Sequence, residues 1–353
     1  MDSLTQIVLG AAVAAVIAPP QHRRAVLLAG AALGTLPDLD ALPIALLTDN
    51  PILCMTWHRG FSHSVLVLPL VGWAIWAWYR SRGGRVANAP KRWFWAIQLA
   101  LLTHPLLDAF TVYGTQLLWP LLVRPVRWSS VFIIDPLYSL WLMLACGVAW
   151  FARGPLPAHR ALVIGLALSS AYLGMSLVAK GLVEREAGRS LARIGLAHAL
   201  RFSVPMPFNI LLWRVVAMTT DGFVEGERSL VADQGSMNFR AHVSDVHALE
   251  KVNDYVGVRQ LQWFNHGFMK SEQRDDQLVL SDLRMGAEPD YTLRFKVAER
   301  DGNRWREVPP EQIDWSWDAE RRLGAMWERI WTQPVTARAT GSGLQGSTIE
   351  LLP

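Results

Sequence analysis

Between residues 4 and 179 the chain is crossed by five runs without a charged side chain: 4–21, 25–37, 64–79, 137–152 and 161–179. A sixth, 93–110, is apolar apart from His104 and Asp108. A helix needs about 20 apolar residues to cross a bilayer, so such runs point to a membrane-embedded helical bundle or to a very apolar soluble core. The distribution of charge decides between them. Residues 1–181 carry 13 Lys/Arg, six Asp and no Glu, whereas residues 182–353 carry 21 Lys/Arg and 24 Asp/Glu, a net +7 against −3. A half that nearly excludes acids yet keeps arginines in its connections is what a lipid-embedded segment requires. The overall +4 then reflects membrane orientation rather than nucleic-acid binding, since no basic stripe with interleaved aromatics is present.

The run 161–179 is the clearest single span, and 64–79 and 137–152 reach across with snorkelling ends. Runs 4–21 and 25–37 are short, rich in Ala and Gly, and separated by Pro19-Pro20. They read as a tightly packed helical hairpin, partly re-entrant. Three basic connections alternate with the others: Arg23/Arg24, then Arg80/Arg82/Arg85/Lys91/Arg92, then Arg153/Arg160. That pattern places all three in the cytoplasm. Connections 38–63 and 111–136 hold only Arg59, Arg124 and Arg127 and are expected in the periplasm, with everything after residue 181. The opening MDSLTQ lacks the basic region of a cleaved signal peptide. Cys54 and Cys146 provide neither a disulfide framework nor a CxxC metal pair.

After Gly181 the composition changes. Residues 182–204 read as an amphipathic connecting helix ended by Pro205 and Pro207. Residues 205–335 read as a small, mainly antiparallel β (α+β) soluble domain: RVVAMTT turns at Asp221-Gly222 into FVEGERSL, and QLVLSDL precedes YTLRFKVAER, which turns at Asp301-Gly302. HALEKVNDYV, 247–256, reads as one helix between them. Residues 336–353 read as a flexible tail. The fold class is thus an α-helical polytopic membrane bundle, 1–181, followed by a soluble α+β domain.

Polar residues stand out against the apolar half at the predicted periplasmic ends of its runs. Asp38 and Asp40, at i and i+2 after Pro37, can aim both carboxylates at one cation, or can simply end a helix in solvent. His58 and His63 stand five apart across a turn containing Gly60, where they can converge as they would not on one helix; Ser62 reads as an N-cap for the following run. His104 and Asp108, at i and i+4, share one helix face. Burying both in lipid costs several kcal/mol unless they meet partners, so they should face the bundle interior. Thr111, Tyr113, Thr115, Gln116 and Asp135 are softer candidates for orienting ligands, as is Gln6. Imidazoles and carboxylates together suit Zn²⁺, with Mn²⁺ or Fe²⁺ also compatible. Such an ion acts as a Lewis acid and lowers the pKa of water toward about 7.

The blocks MDSLTQIVLGAA, GTLPDLD, HRGFSHS, HPLLDAFTVYGTQLLWP and FIIDPLY resemble those of the YdjM-like bacterial inner-membrane proteins, and WFNHGF and LSDLRMG resemble that family's C-terminal part. The family is described as predicted membrane-bound, metal-dependent hydrolases, with a distant relation to zinc-dependent phospholipases C and related nucleases. The resemblance implies a metal site drawn from Asp38, Asp40, His58, His63, His104 and Asp108. The expected function is hydrolysis of an ester or phosphodiester bond in a membrane lipid or lipid-linked envelope precursor, reached from the surface of the inner membrane. Asp38 or Asp40 serves as ligand or general base, and Arg59 steadies an anionic group. The alternative is a non-catalytic scaffold or sensor with a structural metal and a partner-binding C-terminal domain. A transporter has weak support, since no inverted repeat is visible.

Overall fold

The computed structural model describes residues 1–314 and 319–334. Their contacts divide the chain into two compact units, Met1–Met175 and Ser176–Pro353. The chain is α+β, helical in its first half and carrying antiparallel sheets in its second.

In the first unit, α1 (Ser3–Ile17) begins at Asp2, whose carboxylate accepts the Thr5 N–H at 3.0 Å, and stops before Pro19-Pro20. The chain then returns as α2 (Arg23–Thr35). The two backbones touch. A Cβ added to Gly10 would lie 2.4 Å from the Gly30 carbonyl oxygen, and one on Gly34 would lie 2.4 Å from that of Gln6. This is the Ala/Gly hairpin anticipated from 4–37. A 3-10 turn, Leu36–Asp40, leads into the short helices α3 (Ala41–Leu47) and α4 (Pro51–Trp57). Then come α5 (Leu68–Ser81), α6 (Gly84–Asn88) and α7 (Pro90–Asp108). After a long loop, α8 (Pro136–Phe151) and α9 (Pro155–Arg193) complete the series. Helix α7 runs antiparallel to α1, because Gln6 meets Asp108 at one end and Arg92 donates to the Ile17 carbonyl at the other. Residues Pro20–Leu47 and Pro155–Arg193 are long and apolar enough to cross a membrane, and Pro51–His63 with Leu68–Ser81 adds a third if the 54° bend between them lies within one span.

This arrangement sorts the charges. The six aspartates of the first half, Asp2, Asp38, Asp40, Asp49, Asp108 and Asp135, lie where α1 and α8 begin and α2 and α7 finish, or in the loop after α3. The nine bases of the three basic connections gather at the opposite end. Several cap helix C-termini there. Arg23 donates to the carbonyls of Ala152 and Gly154 at 2.6 and 3.2 Å, Arg24 to that of Trp150, and Arg92 to those of Ile17 and Ala18.

In the second unit the last turns of α9 lie on a sheet of order β1-β2-β3-β4. Val183, Ala187 and Leu191, one turn apart, pack with Trp213, Val215 and Ala217, alternate residues of one strand face. The strands are β1 (Arg201–Pro205), β2 (Leu212–Thr219), β3 (Gly222–Ser229) and β4 (Arg240–Val243). Helices α10 (Val246–Lys251) and α11 (Val256–Asn265) lead to the second sheet. It contains β5 (Met269–Arg274), β6 (Gln277–Asp282), β9 (Arg294–Asp301) and β10 (Arg304–Gln312) in the order β10-β9-β6-β5, with β7 (Gly286–Ala287) and β8 (Asp290–Tyr291) as a separate small hairpin. Helix α12 spans Ala319–Trp331.

Two local expectations are corrected. The stretch 182–204 is helical only to Arg193; Gly195, at φ +78°, takes the left-handed conformation that stops a helix, and Pro205 ends a strand. Residues 247–256 are not one helix, because Val252 to Tyr255 separate α10 from α11. The tail expected to be flexible, 336–353, lies outside the described residues.

Candidate metal centre

Three segments converge where α2 and α7 finish. The turn Leu36–Asp40 carries Asp38 and Asp40, the turn Phe61–His63 carries His63, and the last turn of α7 carries His104 and Asp108. His63, His104 and Asp108 are buried, and the Asp38 side chain is 20% exposed. Their facing atoms form a tight group. His63 Nε2 lies 3.1 Å from His104 Nε2, 3.4 Å from Asp38 Oδ1 and 3.2 Å from Asp108 Oδ2; His104 Nε2 lies 3.3 Å from Asp38 Oδ1 and 3.5 Å from Asp108 Oδ2. A tetrahedral ion with bonds of about 2.0–2.1 Å sets its ligands about 3.3 Å apart, so these separations fit the edges of one coordination shell.

The hydrogen bonds behind the rings bear on whether the group could hold a cation. His104 Nδ1–H donates to the Gly34 carbonyl at 2.5 Å, which leaves a lone pair on Nε2. Ser62 Oγ–H donates to Asp40 Oδ2 at 2.5 Å and accepts from His63 Nδ1–H at 2.9 Å, which leaves a lone pair on His63 Nε2 as well. Tautomers are fixed by such partners. In the neutral tautomers that these partners select, two imidazole lone pairs and two carboxylate oxygens face one another. Asp108 Oδ2 is buried and makes no hydrogen bond among the described residues. Acceptors crowded in this way are satisfied by a cation, and this His/Asp set could hold a metal ion.

Around the four stands a second layer. Asp108 Oδ1 accepts from Gln6 Nε2 at 3.0 Å and meets the Met1 amino group. Arg59, expected to steady an anionic group, is 5% exposed and turned onto the protein instead: Nε lies 3.3 Å from Asp108 Oδ2, and the guanidinium donates to Thr111 Oγ1 and sits over the Tyr113 ring. Its φ of +63° is costly for a side chain of this size, and the Arg59 N–H is 3.3 Å from Asp40 Oδ2. His58 stands outside the group of four. Its Nδ1–H donates to Asp40 Oδ1 at 2.8 Å, and its Nε2 is 4.0 Å from Asp38 Oδ1. Asp40 is thus the hub that holds His58, Ser62 and the Arg59 amide, rather than a member of the inner group.

Of the softer candidates, Tyr113 donates to the Met55 carbonyl and Gln116 to that of Thr56, which brace the His58 loop. Thr115 pairs with Val126 through its backbone. Asp135 caps α8 and accepts from Tyr172 at 2.8 Å, away from the cluster. The relay through Ser62 was missed because the residue also reads as an N-cap, whereas α5 is capped at Val67; its place immediately before His63 was the available signal. The Gly34 carbonyl has no side-chain signal at all.

Fold and site together define an integral membrane bundle with a largely buried His/Asp cluster that could hold a metal ion. The YdjM inner membrane protein family model matches residues 1–183, and the chain belongs to that family. Over 240 residues, 64% of this chain and 68% of the other, it is also 25% identical to the uncharacterized protein YfhP of Bacillus subtilis (strain 168). No solved structure matches the chain.

Proposed function

We propose that the protein is a metal-dependent hydrolase of the inner membrane, cleaving an ester or phosphodiester bond of a lipid or lipid-linked precursor, with zinc held by Asp38, His63, His104 and Asp108. The observation that carries the reading is the His58–Asp40 pair beside the cluster. With Nδ1–H on Asp40, His58 presents an Nε2 lone pair next to Asp38, and its side chain is 25% exposed. That is the arrangement of an oriented general base. A bound divalent ion would supply Lewis acidity and acidify nearby water. His58 Nε2 would take the proton of the attacking water and return it to the leaving oxygen, while Arg59 balances the charge of Asp108. Trp57 and Phe61, 44% and 47% exposed on either side of this loop, offer an apolar surface to acyl chains. The arginine distribution favours a periplasmic location for the cluster and for the chain after residue 181.

Metal analysis and turnover of lipid phosphodiesters by the purified protein test the reading. Replacing His58 with Gln should keep the metal and lower the rate roughly 10²–10⁴-fold, the usual contribution of a general base. His104→Ala should lose the metal. A fully metallated protein inactive on every lipid ester and phosphodiester, from a strain whose knockout leaves its lipids unchanged, would reject hydrolysis. For orientation, alkaline phosphatase fused after Pro353 should be active and a green fluorescent fusion dark; the reverse inverts the topology. One observation favours the scaffold reading: the four protein donors would by themselves complete a tetrahedral shell, as in structural zinc sites. In that case His58→Gln would be silent, and metal loss would abolish folding and phenotype together.

A further inference from the structure

We infer a second binding site in the first unit, at the end opposite the His/Asp cluster, for a phosphate-bearing anion. An open pocket of about 730 Å³ is formed there by three separate segments and lined by His22, Arg23, Arg24, Arg85, Arg153 and Pro155. Four guanidinium groups surround it, and the six aspartates of residues 1–181 all belong to the other end. Mutual repulsion among them is unrelieved by any protein carboxylate of that half.

Part of this charge has a structural task, and part has none. Arg23 and Arg24 cap the carbonyls that finish α8. Among the described residues, however, no hydrogen bond or ion pair engages Arg85 or Arg153, and Arg23 keeps a buried Nε without a partner. Helices α2 and α9 begin at this pocket, and their positive ends add to the field. Arginine forks match phosphate oxygens in a bidentate manner. Cytoplasmic retention of loops requires positive charge but not a concave arrangement of it.

A neighbouring pocket of about 340 Å³ shares Arg23 and Pro155 and adds Arg92 and His159 together with a mainly apolar wall that includes Ala15, Ala18, Leu156 and Leu162. A phosphate in the first pocket thus has a mainly apolar recess beside it, the layout of a phospholipid headgroup and the start of its chain. The ligand class is a phosphate mono- or diester, with an anionic phospholipid as the source the recess favours and soluble phosphate as the other source of the same chemistry. The site does not depend on the hydrolase reading.

The test is lipid retention by the detergent-solubilised full chain, followed by native mass spectrometry with phosphatidylglycerol or phosphatidylcholine, and by thermal shift with inorganic phosphate. Exposed Arg85 and Arg153 can be changed without disturbing a core. The double variant R85Q/R153Q should lose phosphatidylglycerol roughly tenfold or more, because two of the four arginine charges facing the anion go. The control K91Q/R160Q, basic residues of the same end outside the pocket, should retain it. Stabilisation by inorganic phosphate that R85Q/R153Q abolishes, without selective lipid retention, supports the site with a soluble ligand. Equal losses in both double variants, equal retention of phosphatidylcholine, or no response to lipid or phosphate would overturn the proposal.

Discussion

Ser62 has a small side chain and a large share of the geometry: its hydroxyl sits between Asp40 and His63 and decides which nitrogen of that ring faces the cluster. Its removal in Ser62→Ala should leave the fold intact and weaken metal retention about 10–100-fold, the usual cost of losing a ligand's orienting partner, as read by competition with a chelator. Asp38→Asn should also weaken retention, because an amide oxygen is a neutral and poorer donor. Unchanged retention in both variants would remove this relay and this carboxylate from the metal site. The residues legible from sequence were those whose period fixes direction: His104 and Asp108 must share a helix face, and Pro37 sets Asp38 at a helix end. His58 was less legible, because the left-handed Arg59 that follows it turns the loop so that His58 points to Asp40 while His63 points inward. A carbonyl acceptor such as Gly34 leaves no trace in a side-chain pattern.

At the scale of elements, the α1–α2 contact and the cluster are one construction, since the His104 ring leans on a carbonyl of α2 beside the closest approach of the two helices. Gly30→Val should therefore do two things. The added atoms would meet the Gly10 carbonyl oxygen, at 2.4 Å for Cβ alone, and should destabilise by about 1–3 kcal/mol or more. Metal content should fall with it, because the acceptor for His104 shifts. Gly147→Ala, with nothing within 4 Å, should be neutral or slightly stabilising, and thermal melts with metal stoichiometry compare the two. The hairpin was legible because Ala and Gly at close spacing have few other uses in an apolar helix. Strands β2, β3, β6 and β9 were legible from alternation and from the Asp-Gly turns. The start of β1 was not, because 182–204 carries a helical periodicity throughout and only Gly195 interrupts it.

For the whole molecule, a metal at the cluster would tie three distant stretches of the first unit, around residues 38, 63 and 104–108. Removing it with a chelator should speed hydrogen exchange in those stretches and lower their stability by up to about 4 kcal/mol at a thousandfold excess over Kd, while β2, β3 and β6 in the second unit keep their protection. Loss of protection in both units alike would mean that the cluster is not local to the first. The change from an apolar helical half to a half carrying antiparallel sheets was legible from charge alone, since lipid excludes glutamate before any fold is considered. The same segregation has an electrical consequence. Carrying one elementary charge through a 100 mV potential takes about 2.3 kcal/mol, and this bundle holds nine bases at one end. An interior-negative membrane performs that work nine times over against any inversion of the bundle once its basic end is inside. With the basic end in the cytoplasm, as the arginine distribution favours, the field that energises the cell would also act as a ratchet on which way this protein faces.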